Sequence, residues 1–448
     1  MSGTATLPRV EVSTEDDGSV LICHSRRDVP LVFMEIQTPG GRSSEPPAQP
    51  GLAGLAADLL AEGPQGTAPE AWRRKTEGLA AEITCAARYD HWAARCECLS
   101  EYLDAACDML KQLVARPGLP RSEFKRLVKA RRASARENWA QPMSVIRHLV
   151  AVQNLGFGHP GAHPAFERAY RRAAYGPACE LATGAFTRGA PVYALIGGDI
   201  GSEAGFARLR EILAAMPAGG AGAASEPPVA PSVAPVWICN NAKVDQAFFA
   251  LGRQGVRAGD AGRVALRLAN YVIGAGGFDS RLMDRVREEA GGTYGISSRL
   301  DEKRVASPFT INSYTRVDRL REMLGIVERS LREVCTEGVT QEELESARGN
   351  RYGTLPLRLT SPRAVLSRAA EGLRAGLSPA ELESDWRAYR ETSQEAVNAA
   401  ARRLLGDLRF RLAVIGPADA VRDQLRDRGD CEVFGFGLDP DRWPRESP

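Results

Sequence analysis

The chain lacks the features that would place it in a membrane, in an oxidising compartment or on a polyanion. No apolar run in its 448 residues approaches the roughly 20 residues that a membrane helix needs. Met1 to Val10 lack the charged-then-apolar layout of a secretion signal, so a cytoplasmic location is expected. There is no excess of either charge: 58 basic and 56 acidic residues leave +2. Neither nucleic acid nor an acidic membrane surface is therefore an expected partner. Nine cysteines are scattered without framework spacing, and an odd, dispersed set reads as reduced thiols. What remains is ordinary for a globular protein, with 44% hydrophobic and 25% charged residues, and the length calls for more than one core.

The most informative stretch is GGFDSRLMDRVREEAGGTYGISS, beginning at Gly276. With Gly274, Gly276 and Gly277 the backbone can turn tightly. Asp279 and Ser280 are good N-cap residues, and Asp284 falls in the first helical turn. Leu282, Met283, Val286 and Ala290 recur at helical spacing, which predicts one buried face. Gly291 and Gly292 stop the helix, and Thr293 to Ser298 read as a strand. So quick a return brings Arg287 and Tyr294 together. A guanidinium and a phenol are fixed donors suited to a peptide carbonyl or to an oxyanion. From local chemistry alone the simpler reading is an ion pair of Arg287 with a nearby Glu and a half-buried strand position for Tyr294.

From the start of the chain, Val20 to Gln37 predicts a hairpin or two paired strands across the polar His24 to Asp28. Gly51 to Gly63 reads as a small-residue helix. Ile83 to Leu99 reads as a strand pair carrying Cys96, Cys98 and His91. Two thiols one residue apart with one imidazole fall short of a metal site, and buried thiols are the simpler reading. Ser122 to Asn154 predicts a helical stretch rich in Lys and Arg, either a solvated face or a means of steering an acidic peptide. The loop holding His159 and His163 is assigned no metal. Asn350 to Gly353 offers either a substrate contact or plain helix surface.

A connector rich in Gly, Ala and Pro, residues 218–232, separates an N-terminal domain (1–217) from a C-terminal one (233–448). The halves repeat in outline. The strand from Val244 to Gly252 answers Leu31 to Gln37, the helix from Arg263 to Ile273 answers Leu52 to Leu60, and the strand from Phe410 to Asp419 answers the one ending at Asp199. Duplication follows.

The run from Gly276, with its glycine turn, Ser-Arg-Leu helix start, Arg-Glu pair and later Tyr, resembles the C-terminal-half signature of the M16 metallopeptidases, the pitrilysin, insulin-degrading enzyme and mitochondrial processing peptidase family. The resemblance implies α+β class: a tandem of α/β-sandwich domains, each an antiparallel-rich sheet covered by helices. It places the family's substrate-binding pair on Arg287 and Tyr294, beside Gly276 and Gly277. In the family a His-x-x-Glu-His helix follows Gly-Leu-Ala. The two His bind zinc and the Glu is general base. Here those positions are Gly54, Leu55, Ala56, Ala57 and Asp58, so both imidazoles and the base are gone. The family's third ligand, a Glu on a later helix, has only Glu137 near its place. No catalytic zinc is expected in this chain. The resemblance, in its short-chain (M16B) branch, implies a zinc-less subunit whose sibling bears the zinc motif, with an extended peptide as substrate. A scaffold without a peptidase role, or a homodimer with altered activity, are the alternatives.

Overall fold

The computed structural model describes residues 6–157, 159–162, 165–219, 229, 231, 235–290, 295–302 and 308–436. The described residues form two six-stranded sheets. The first holds β1 (Glu11–Thr14), β2 (Val20–Ser25), β3 (Leu31–Pro39), β4 (Glu82–Ala87), β5 (His91–Leu99) and β6 (Tyr193–Gly198) in the order β1-β2-β6-β3-β5-β4. The second holds β7 (Val236–Asn240), β8 (Gln246–Gln254), β9 (Ile296–Leu300), β10 (Pro308–Arg316), β11 (Arg411–Gly416) and β12 (Cys431–Gly435) in the order β12-β7-β11-β8-β10-β9. Five strands therefore recur in the same order, which is the mark of a duplicated α+β unit. Only the outermost strand differs: β1 pairs antiparallel with β2, whereas β12 pairs parallel with β7.

Side-chain alternation explains how the first sheet is covered. Leu21 and Cys23 of β2, Met34 and Ile36 of β3, and Ala194 and Ile196 of β6 face one core. Helices Leu52–Ala61, Leu103–Ala115 and Ser202–Ala215 close it with Leu60, Leu110 and Leu209. The intervening Ile22, Phe33 and Leu195 face the opposite side. There Leu366, Ala369 and Ala370 of helix Pro362–Arg374 cover them. The second sheet is covered in the same manner by helix Pro142–Leu155, which packs on β8 and β11. Its buried Gln153 donates to the carbonyls of Pro235 and Leu412 at 3.2 and 3.3 Å.

These two helices exchange between the chain's halves. One compact unit comprises Met1–Ala135, Ala165–Glu226 and Pro356–Arg374; the other comprises Arg136–Pro164, Pro227–Leu355 and Ala375–Pro448. Two expectations are corrected. Val20 to Gln37 is not a hairpin, nor are its strands paired: β6 lies between β2 and β3, parallel to the first and antiparallel to the second. A strand as buried as β6 needs a hydrogen-bonding neighbour on both sides. Ser122 to Asn154 is two helices, Arg121–Ala140 and Pro142–Leu155, because Gln141 is extended ahead of Pro142.

Candidate functional site

Helix Leu52–Ala61 runs beside the edge strand β4. It starts at Gly51, and the buried Glu45 carboxylate accepts from the backbone N–H of Gly51 and Ala53 at 3.1 and 2.8 Å. Leu55, Ala56 and Ala57 are buried in the core, so the position that the resemblance gives to the general base is apolar. The resemblance gives the two metal-histidine positions to Gly54 and Asp58. Both touch one group, the guanidinium of Arg131 on helix Arg121–Ala140. Arg131 Nε and Nη2 donate to the two Asp58 carboxylate oxygens at 2.6 and 2.7 Å. Nη2 also lies 3.1 Å from the Gly54 carbonyl oxygen. The fork to Asp58 holds the Arg131 guanidinium even further above its ordinary pKa.

The residues present do not fit zinc. Gly54 brings no ligand atom, Ala57 brings no base, and the Asp58 carboxylate is already shared with a cation. Glu137 is exposed on the Arg131 helix. His91 is buried on β5 with its Nδ1 2.8 Å from the Asp90 carboxylate, and burial lowers its pKa. Cys96 and Cys98 lie in the core. Desolvation pushes the neighbouring Cys23 and Cys107 thiols up to about 11 and about 12, which keeps them protonated rather than ligating. Among the described residues no group of three or more His, Cys, Asp or Glu could hold a metal ion.

In the second unit, helix Arg263–Asn270 runs into a π-turn, Tyr271–Ala275, and the chain then reverses into helix Arg281–Ala290. Gly276 sits against the Tyr271 ring, where a Cβ would come within 2.9 Å. Gly277 takes φ +63°, a conformation that suits glycine. The Ser280 hydroxyl donates to the Gly277 carbonyl at 2.7 Å, closing the turn. Leu282 and Val286 bury the helix's inner face.

The helix's three arginines part company. Arg281 donates to Glu343 and to the Gly338 carbonyl at 2.7 and 3.0 Å, and Arg285 reaches Glu333 at 3.2 Å. Those two moor the helix. Arg287 points outward: its side chain is 49% exposed, and its ion-pair partner is Asp284, one turn back, at 3.2 Å. Its guanidinium carbon stands 5.4 Å from the ring centroid of Phe278, which is itself 70% exposed. Tyr294, the other member of the expected pair, lies outside the described residues. Sequence reasoning missed Phe278, although an aromatic between two turn residues, Gly277 and Asp279, was the available signal.

Other expectations resolve locally. Lys125, Arg126, Lys129 and Arg136 of helix Arg121–Ala140 are exposed, as a solvated face requires. Arg131 and Arg132 are half-buried, and Arg132 donates to Glu167 at 2.7 Å. At Asn350 to Gly353, Tyr352 stacks on Trp386 with centroids 4.4 Å apart, and Arg390 covers the Tyr352 ring at 3.7 Å. That segment is a half-buried helix face, with Gly353 exposed. No helix among the described residues is long and apolar enough to cross a membrane.

Two sheets of matching strand order, each followed by a helix tied to a later one, define a tandem α+β protein. The chain belongs to the M16 peptidase family: residues 24–163 match its insulinase domain and residues 189–350 the domain described as the M16 inactive domain, together more than half of the chain. It is 25% identical over 333 residues to a non-peptidase homologue of Helicobacter pylori, covering 74% of this chain and 76% of that protein. It is 29% identical over 185 residues to an uncharacterised zinc protease of Mycobacterium tuberculosis, a match spanning 41% of this chain and only 42% of that relative's length. The crystal structure of an M16 inactive domain from Pseudomonas fluorescens superposes with a TM-score of 0.82 at 25% identity, over 91% of this chain and 98% of that one.

Proposed function

We propose that this chain is the zinc-less, substrate-binding subunit of a two-subunit M16-type metalloendopeptidase, working in the cytoplasm beside a sibling that carries the zinc motif. The observation that carries this reading is an asymmetry. The helix to which the resemblance assigns the metal is closed by Arg131 and Asp58, while Arg287, in the last turn of helix Arg281–Ala290, is half-exposed with Phe278 of the glycine turn beside it. An exposed i,i+3 pair contributes little to stability, so fold maintenance does not explain that arrangement. Arg287, with Tyr294, donates to the backbone of an extended peptide held along a sheet edge. Hydrolysis belongs to the partner. The division into domains 1–217 and 233–448 about a 218–232 linker belongs to the same proposal. Relatives described as non-peptidase or inactive support it.

The test is to assay peptide cleavage and zinc content of the chain alone, of a zinc-motif M16 sibling alone, and of the two mixed. Cleavage by the mixture only, abolished by a chelator, is the expected result. Chelator-sensitive cleavage by this chain alone overturns the proposal in favour of an altered homodimer. Full activity of the sibling without it points to a scaffold.

A further inference from the structure

Two residues that stand where the family keeps its zinc histidines touch the same side-chain group. Gly54 and Asp58 are one helical turn apart on a shared face. Arg131 comes from helix Arg121–Ala140, the helix comparable to the one that supplies the family's third ligand. Its guanidinium receives the Asp58 carboxylate through Nε and Nη2 and lies against the Gly54 carbonyl. A side chain at position 54 is opposed by that same group: a Cβ there would stand 3.3 Å from Arg131 Cζ. The pair is only partly open to solvent, with side-chain exposures of 36% for Arg131 and 26% for Asp58.

We infer that the Arg131 guanidinium takes the metal's place: it is a tethered cation that joins helix Leu52–Ala61 to helix Arg121–Ala140 and keeps zinc out. The inference rests on the family assignment and on this geometry, not on the peptide-binding reading. The chemistry supports the exchange in one respect and limits it in another. A guanidinium is charged at every accessible pH and forks onto a carboxylate through two donors, so it can cross-link two helices as an ion does. It has no open coordination position and does not acidify a bound water as zinc does. The substitution therefore keeps a positive centre and the helix clamp while removing the hydrolytic chemistry.

The experiment restores the histidine pair, Gly54→His with Asp58→His, in two backgrounds: Arg131 retained, and Arg131→Glu, which puts a third ligand where the guanidinium stood. Each protein is dialysed against excess zinc and then metal-free buffer. Zinc per chain is measured by mass spectrometry, and melting is followed with and without EDTA. The chain with Arg131 retained should hold no stoichiometric zinc and melt alike in both conditions. The chain with Arg131→Glu should hold about one zinc and melt lower in EDTA. Equal zinc content in the two backgrounds, or zinc in neither, overturns the inference.

Should the histidine variants fail to fold, the native sequence carries the same test through Arg131→Gln, Asp58→Asn and their combination. Each single change should lower the melting temperature by about 3 °C, and the double should be no worse than the worse single. Additive losses would mean that the two groups do not act as one clamp.

Discussion

Each unit ties the helix after its central strand to a later helix by one guanidinium–carboxylate fork, but the two forks run in opposite senses. In the first unit the carboxylate, Asp58, sits on that helix and Arg131 reaches in; side-chain exposures are 26% and 36%. In the second unit the helix carries the arginine. Arg263 donates to Asp385 through Nε and Nη2, both at 2.7 Å, and those side chains are only 9% and 7% exposed. Arg267, one turn on, adds a second fork to Glu302 at 2.6 and 2.7 Å and a bond to the Tyr389 hydroxyl at 3.3 Å. The M16 resemblance gives the first helix, not the second, a metal. The second-unit helix is locked by two forks, of which the Arg263–Asp385 one is deep, and the first-unit helix is held by a single, shallower one. Either polarity secures a helix, and depth decides how much is at stake when a partner is removed.

That contrast can be broken most severely in the second unit. Asp385→Leu leaves Arg263 buried without its partner, and removing one member of a buried ion pair costs about 3–5 kcal/mol. Chemical denaturation followed by hydrogen exchange should show β8 and β10 losing protection while β3 and β5 keep theirs. A loss below about 1 kcal/mol would show that the fork is dispensable. Next in size is a functional effect on the same unit. Arg287→Ala in the assembled complex should lower turnover roughly 10²-fold, as for a lost oxyanion donor. Because this arginine is exposed, the same change should move stability by no more than about 0.5 kcal/mol. An unchanged rate would remove the substrate role while leaving the clamp untouched.

A smaller effect concerns how the two helices begin. Glu45 is 7% exposed and takes the N–H groups of Gly51 and Ala53. In the second unit the Asp260 carboxylate accepts from Gly262 at 2.8 Å and also pairs with Arg403. Glu45→Ala orphans two buried donors and should cost about 1–2 kcal/mol, measurable by urea denaturation. A cost near zero would mean that the first helix starts correctly without its cap.

How far the sequence announced this arrangement varies with the range of the interaction involved. The burial of Leu282 and Val286 was legible because it depends on local period. For Gly54, Ala57 and Asp58 only the resemblance supplied positions to compare; no local pattern singles them out. The strand order was not: β6 enters between β2 and β3 from more than 150 residues downstream, and no local pattern encodes that partner. The exchange of helices Pro142–Leu155 and Pro362–Arg374 was hidden for the same reason. Arg131 was visible only as one basic residue among several. Its role depends on which of its neighbours on helix Arg121–Ala140 faces Asp58, and spacing within that helix cannot say so.

The smallest effect is a pH dependence confined to the first sheet. His91 is buried at the start of β5, paired across from Pro39, and its pKa is lowered, chiefly by burial and against the pull of Asp90. The groups acting on it are the Arg374 guanidinium, which lowers the pKa, and the Asp90 and Glu35 carboxylates, which raise it. A histidine whose folded pKa is depressed binds fewer protons in the fold than in the unfolded chain. Its contribution is then fully present above the unfolded value of about 6.5 and is lost as pH falls through the folded value. Mild acid should therefore weaken hydrogen-exchange protection across β3, β4 and β5 before it touches β8 and β10. His91→Gln, which cannot take the proton, should flatten that slope in the first sheet and leave the second as it was. If the slope survives the substitution, His91 is not its source.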